Sequence, residues 1–480
     1  MKSAMWIALL AGVAGVASLS AQTPRAQAPR AQPSDRCRLQ IVNVDREGVR
    51  TTPMAGTENY FAGGNVHARC AGRNIHMYAD SVASYGGSVV QFISLGNKVR
   101  YRDSTTALDA DFGTYFQNGE RFEAQDNVLH RDLESGSTIT GQRIDYLRPV
   151  RGLRAEMEVV AYNRPTVRYV VKDSAGQAQS PYTIVGNLVR TRANEVIYAN
   201  GNVTIEREDL RGSADSLWLD TGRRQSGQLV GRAALRTERR DGFTLTGRVI
   251  DIGLTDRELR LLKARDSAKL VSKDITLAGD SVGVELINRQ PERVVAWGKT
   301  VRPSLVSTDY LVRGDSLRVE MPNQRLTSLR AFGGGWVGFS GDSAESSRRD
   351  WISGDTVAVE FLSLGAAGAE QTRIREVEAI QNARSFYQLA PEQGQTKGSI
   401  NYTRARRILV TMRITTDSNT VQQVDAFGDV DGIHLQPALT RARDTAAVRD
   451  STIVPPVRPD SVAMPARRDT AGVAPRRGSQ

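Results

Sequence analysis

The sequence has only two cysteines and four histidines in 480 residues, which leaves little material for metal or thiol chemistry. Cys37 and Cys70 both lie near the start of the folded part. In an oxidising compartment two lone thiols pair, which predicts a disulfide joining the first strand to the third. The alternative is a metal site from His67, Cys70 and His76, but that spacing fits no zinc pattern and lacks a fourth ligand, so no cofactor is expected. Helical periodicity is nearly absent as well. Only Arg257–Arg265 suits a helical turn or two, which excludes helical bundles and alternating βαβ units. Aromatic residues are sparse at 6% and mean hydropathy is -0.38, which suits half-buried sheets rather than a membrane-spanning bundle.

Long hydrophobic runs are also missing, except from Ala4 to Leu19. With Lys2 before it and Ser18, Ser20 and Ala21 at its end, residues 1–21 are expected to form a signal peptide, which places the mature chain in a periplasm, with outer-membrane association open. Residues 22–36 are expected to be a disordered linker and residues 438–480 a disordered tail rich in Pro and Arg. These ends carry +7 of the net charge of +11, so the folded part is only mildly basic and no nucleic-acid partner is expected.

What the chain does have is a repeated phrase. In Tyr310–Met321 a turn signal, Gly314-Asp315-Ser316, precedes alternating residues that place Leu317, Val319 and Met321 on one face. Gly279-Asp280-Ser281 leads likewise into Val282, Val284 and Leu286, and Gly354-Asp355-Thr356 into Val357, Val359 and Phe361. Ala214-Asp215-Ser216 leads into Leu217 and Leu219. Weaker copies open at Ala79, Ala110, Gly141 and Gly247, and most steps between copies are 31 to 40 residues, with one double step expected to hide a degenerate copy near 173–180. Such a period marks stacked units, none of which buries its apolar face alone.

Between these copies a second phrase recurs: Tyr198-Ala199-Asn200-Gly201-Asn202-Val203, Ala296-Trp297-Gly298, Ala331-Phe332-Gly333 and Ala426-Phe427-Gly428. Clear strands are expected at Val89–Tyr101 and Asp109–Phe122. Pro149, Pro165 and Pro181 suggest a boundary, so two arrays are expected, 37–181 and 182–437.

The run Ala199-Asn200-Gly201-Asn202-Val203-Thr204-Ile205, followed by Gly212-Ser213-Ala214-Asp215-Ser216-Leu217, resembles the OstA-like periplasmic bridge proteins of lipopolysaccharide transport. The resemblance extends in style over roughly residues 37–436. It implies an all-β fold of stacked antiparallel strands, a V-shaped β-jellyroll array open along one side, whose apolar groove holds the acyl chains of lipid A. It implies partners too: other jellyroll proteins of that system, joined by edge-strand pairing. The chain departs from the family in its length and in its polar, Pro-rich end, which is not a barrel. The candidate groove residues are Leu217, Leu219, Val282, Val284, Leu317, Val319, Met321, Val357, Val359 and Phe361.

Gly314-Asp315-Ser316-Leu317 also spells a hydrolase signature. Such an enzyme needs one Ser on a strand-to-helix turn and a His base, whereas here the phrase repeats with Ser or Thr at 81, 216, 281, 316 and 356. Asp and Ser oxygens that satisfy turn amides explain a repeated phrase better, and no enzymatic activity is expected. A structural or adhesive β-solenoid or propeller with a packed core and no lipid is the rival from another class.

Overall fold

The computed structural model describes residues 37–436, except 55, 173–175, 209, 239–241, 340–349, 365–370, 389–397 and 415–418. The expected signal peptide, linker and tail lie outside the described residues. Within them the chain is a stacked antiparallel all-β array. Two 3-10 turns, Gln117–Gly119 and Pro322–Gln324, are the only helical elements among the described residues. The segment 257–265, expected to turn helically, lies in strand Glu258–Val271 apart from its first residue. Its Leu262, Ala264 and Leu270 point inward between two flanking strands, and those ladders outweigh a weak helical preference.

Each pass of the chain bends once near its middle. In strand Thr276–Ile287, residues 276–278 pair with 304–306, whereas 281–287 pair with 290–297. The break falls at Gly279-Asp280. The first half belongs to one wall and the second half to another. Where the bend is sharper the strand is cut in two, so the expected Val89–Tyr101 becomes Val89–Ile93 and Val99–Arg102, and Asp109–Phe122 is cut at Asp111 and again by the turn Gln117–Gly119, after which Phe122 lies in the next strand.

The repeated phrases mark these bends. Ala/Gly-Asp phrases sit where the chain passes from the first wall to the second, and pairs of left-handed residues sit where it returns: Gly201-Asn202, Gly231-Arg232, Asp266-Ser267, Gly333-Gly334 and Gln381-Asn382. The phrase is therefore a corner inside a strand, not the turn before one. Its Asp braces the neighbouring corner. Asp280 accepts the backbone amides of Lys299, Thr300 and Val301 at 2.7–2.8 Å, and these donors hold its carboxyl below the usual range. Asp355 accepts Asn382 Nδ2 at 2.9 Å in the same way. At Gly333, with φ +71°, a Cβ would lie 2.3 Å from the Asp315 carboxylate, so the close approach requires glycine. The degenerate copy expected near 173–180 is instead the corner at Gly186-Asn187, between strands Tyr182–Val185 and Leu188–Arg192.

Both walls run unbroken through the interval read as a boundary. In the first wall 138–140 pair with 166–168, 166–169 with 182–185, and 183–185 with 204–206. In the second, 143–147 pair with 158–162, 158–162 with 188–192, and 188–192 with 196–200. The expected division at 181/182 coincides with no break in hydrogen bonding.

Candidate functional site: the interior between the walls

The inner faces of the two walls enclose one apolar interior. All ten candidate groove residues lie in it, and all ten belong to the second wall. Leu217, Val282, Leu317 and Val357 form the row nearest the corners, with alanines between them: Ala199 opposite Leu217, Ala296 between Val282 and Leu317, and Ala331 between Leu317 and Val357. Walls converge at a corner, and from Ala264 onward a small side chain on alternate strands leaves the larger ones room to pack, whereas Leu217, Leu229 and Ile250 lie on three successive strands. These alanines open the second repeated phrase, the signal from which their role could have been read. The next row outward holds Leu219, Val284, Val319 and Val359, and Met321 and Phe361 are outermost.

The first wall was missed. Its Leu277, Leu305, Val312, Val337 and Ile352 are as buried as their counterparts. Their signal was present, since the same alternation precedes the phrase, as in Tyr310 and Val312 before Gly314.

The expected open groove is closed to water. Leu317, Val319, Val357 and Val359 are 0% exposed, and exposure rises to 8% only at Met321 and Phe361. Two facing apolar sheets with nothing between them gain about 25 cal/mol per Å² by meeting. At the outer margin lies a cavity of about 230 Å³. Phe243, Leu270 and Ile275 of the first wall line it against Val294, Met321 and Leu326 near the margin of the second, with Lys273, Asp274 and Arg325 at its edge.

Elsewhere the margins are tied by polar bridges. Arg373 of the second wall meets Asp309 of the first at 2.9 Å, Arg289 meets Glu208 at 3.2 Å, and Arg257 donates to the Lys172 carbonyl at 3.0 Å. Arg289 and Glu208 are both exposed, and an exposed pair contributes about 0–1 kcal/mol. Toward the N-terminal end the bridging is buried. Arg148 donates to Glu120 at 2.9 Å and lies 3.8 Å from Asp103, which also accepts the Tyr101 and Tyr146 hydroxyls at 2.9 Å. Burial pushes the phenols of Tyr101, Tyr115 and Tyr146 up, out of any physiological titration. The margin is thus bridged by buried groups toward the N-terminal end, whereas the Arg289–Glu208 bridge further along is exposed.

Beside this network His130 is 2% exposed, with both ring nitrogens unpartnered, and burial lowers its pKa to about 4. An unfolded histidine titrates near 6.5. Between those values the unfolded chain binds the extra proton, so the contribution is complete above about pH 6.5 and is lost as pH falls toward 4, by up to about 3 kcal/mol. Urea midpoints at pH 7 and pH 4.5 measure this. His130→Leu is expected to flatten much of the difference, and an unchanged pH dependence rules the histidine out as its source.

Cys37 and Cys70 are joined as a disulfide, with Cα atoms 5.1 Å apart. Cys70 is thereby unavailable to a metal, and His67 and His76 instead stack and share a hydrogen bond of 3.0 Å.

No protein-family model matches this sequence, and no curated protein matches it. Among solved structures it is similar to LptH of Pseudomonas aeruginosa, the LptA-homologous periplasmic component of the lipopolysaccharide transport device. The likeness has 15% identity and a TM-score of 0.23, over 26% of this chain and 94% of that one. At that score it carries no conclusion about this chain.

Proposed function

We propose that this chain is a non-enzymatic periplasmic bridge in lipopolysaccharide export, which takes the acyl chains of lipid A between its two walls. The observation that supports this most is the interior itself. Through the strands from Thr244 to Ile414 the inward rows of its second-wall face are apolar, and aliphatic but for Phe361 and the thioethers of Met321 and Met412, and its margin is gapped at the cavity lined by Met321 and Leu326. An acyl chain in water exposes methylenes at roughly 0.8 kcal/mol each, so about a dozen cost on the order of 10 kcal/mol. Entering between the walls exchanges one apolar contact for another, and the exposed Arg289–Glu208 bridge is weak. Aliphatic walls make no directional contacts, so the lipid can slide.

The free edges supply sites for jellyroll partners. Among the described residues, Leu39–Asn43 and Arg46–Met54 each pair on one side only, as do Asn419–Phe427 and Asp431–Leu435 at the other end. Such edges invite strand addition.

A photo-crosslinking residue at Leu317 or Val359 is expected to capture lipopolysaccharide in cells, and one at the outward Arg318 is not. Capture at Arg318 alone, or nowhere, leaves the second reading, a structural β-scaffold. The complete closure at Leu317 and Val319 favours that one.

A further inference from the structure

The outer faces of the two walls differ in charge. On the second wall several outward arginines meet acids: Arg293 pairs with Glu285 and Glu320, Arg407 with Glu378, and Arg265 with Asp251, whereas Arg318 and Arg330 form no ion pair with any described residue. On the first wall many do not. Arg168, Arg236, Arg384 and Arg404 are exposed and form no ion pair with any described residue.

Near the C-terminal end these cations lie beside an aromatic terrace. Trp351, Phe386 and Tyr402 occupy successive strands in register on the outer face, since their neighbours Ile352 and Ser385 point inward. The Trp351 and Phe386 rings stack at 6.2 Å, and Tyr402 meets Trp351 edge-on at 6.3 Å. One row closer to the corners, Arg313, Trp336, Ser353, Arg384 and Arg404 run across these and the two preceding strands, and the Arg313 guanidinium lies 5.8 Å over the Trp336 ring. The aromatics are half-buried and the arginines exposed. Two rings with a polar edge, Trp351 and Tyr402, beside cations without ion pairs match the boundary of a bilayer, where aromatic bodies sit at headgroup depth and arginines meet phosphate.

We propose that this outer face docks the chain on the surface of an anionic phospholipid bilayer, with Arg313, Arg384 and Arg404 on headgroup phosphates and the Trp351 terrace at the interface. The docking is independent of what the interior carries. A soluble polyanion would use the arginines but has no need of an aromatic terrace.

The test is sedimentation of the full chain with vesicles of phosphatidylcholine alone or mixed with phosphatidylglycerol. Binding is expected to the anionic vesicles only, and to fall with salt. The triple variant R313Q/R384Q/R404Q is expected to bind them roughly 100-fold more weakly, at about one kcal/mol per basic residue. R318Q/R330Q, which removes two cations from the outer face of the second wall, is expected to bind as the parent does, and circular dichroism shows that each variant is folded. Equal binding to neutral vesicles overturns the proposal. So does an unchanged triple variant, or retention on heparin without binding to vesicles.

Discussion

Glu120→Ala is expected to destabilise the N-terminal end of the array by about 3–5 kcal/mol. The Glu120 carboxylate is 0% exposed, and it accepts hydrogen bonds from Arg148 Nη1 at 2.9 Å, from the Tyr115 hydroxyl at 3.0 Å and from the Cys37 backbone amide. Alanine leaves a largely buried guanidinium and two further donors without their acceptor, and the cost of desolvating them is no longer offset. A stack of repeats unfolds in parts, so the effect is best read locally, by hydrogen exchange over residues 99–147. Glu120→Gln keeps the shape and an acceptor for Tyr115, and should recover part of the loss. Unchanged exchange in the alanine variant means that these bonds do not hold the margin closed.

The second large effect is at the disulfide. Cys37 and Cys70 are 33 positions apart, and a cross-link closing a loop of that length stabilises by about 3–4 kcal/mol, chiefly by restricting the unfolded chain. The cross-link ties the edge strand Leu39–Asn43 onto Thr57–Cys70, where Leu39 pairs with Cys70. Reduction, or a C37S/C70S variant, is expected to lower protection across 39–70 while leaving 276–364 as it was. Loss of protection along the whole array means that the edge nucleates the stack rather than capping it. No change at all means that the ladder holds the edge unaided.

Much of the secondary structure was legible in the residues. The alternation in Leu317-Arg318-Val319-Glu320 places Leu317 and Val319 on a buried face because successive side chains in a strand point opposite ways. The cysteines were legible as a pair from their scarcity. The bend was not. Gly279-Asp280-Ser281 has the composition of a hairpin turn, and composition does not tell a turn that reverses the chain from a corner that bends it onward. That difference depends on whether Asp280 caps its own turn or the amides of Lys299 to Val301 on the next pass.

From its sequence alone the chain is all-β and repetitive, with one apolar face per strand. Those properties follow from a period of two and a step of 31 to 40 residues, which are local. Tertiary structure decided that each strand serves two walls, that Leu277 and Val312 face the same interior as Val284 and Leu317, and that this interior is shut. It also gathered Arg384 and Arg404 beside Trp351, although the folded part is only mildly basic. The physical reason is that alternation says which side chains share a face but not which faces meet. That is settled only when the corners bend and the two apolar sheets find each other.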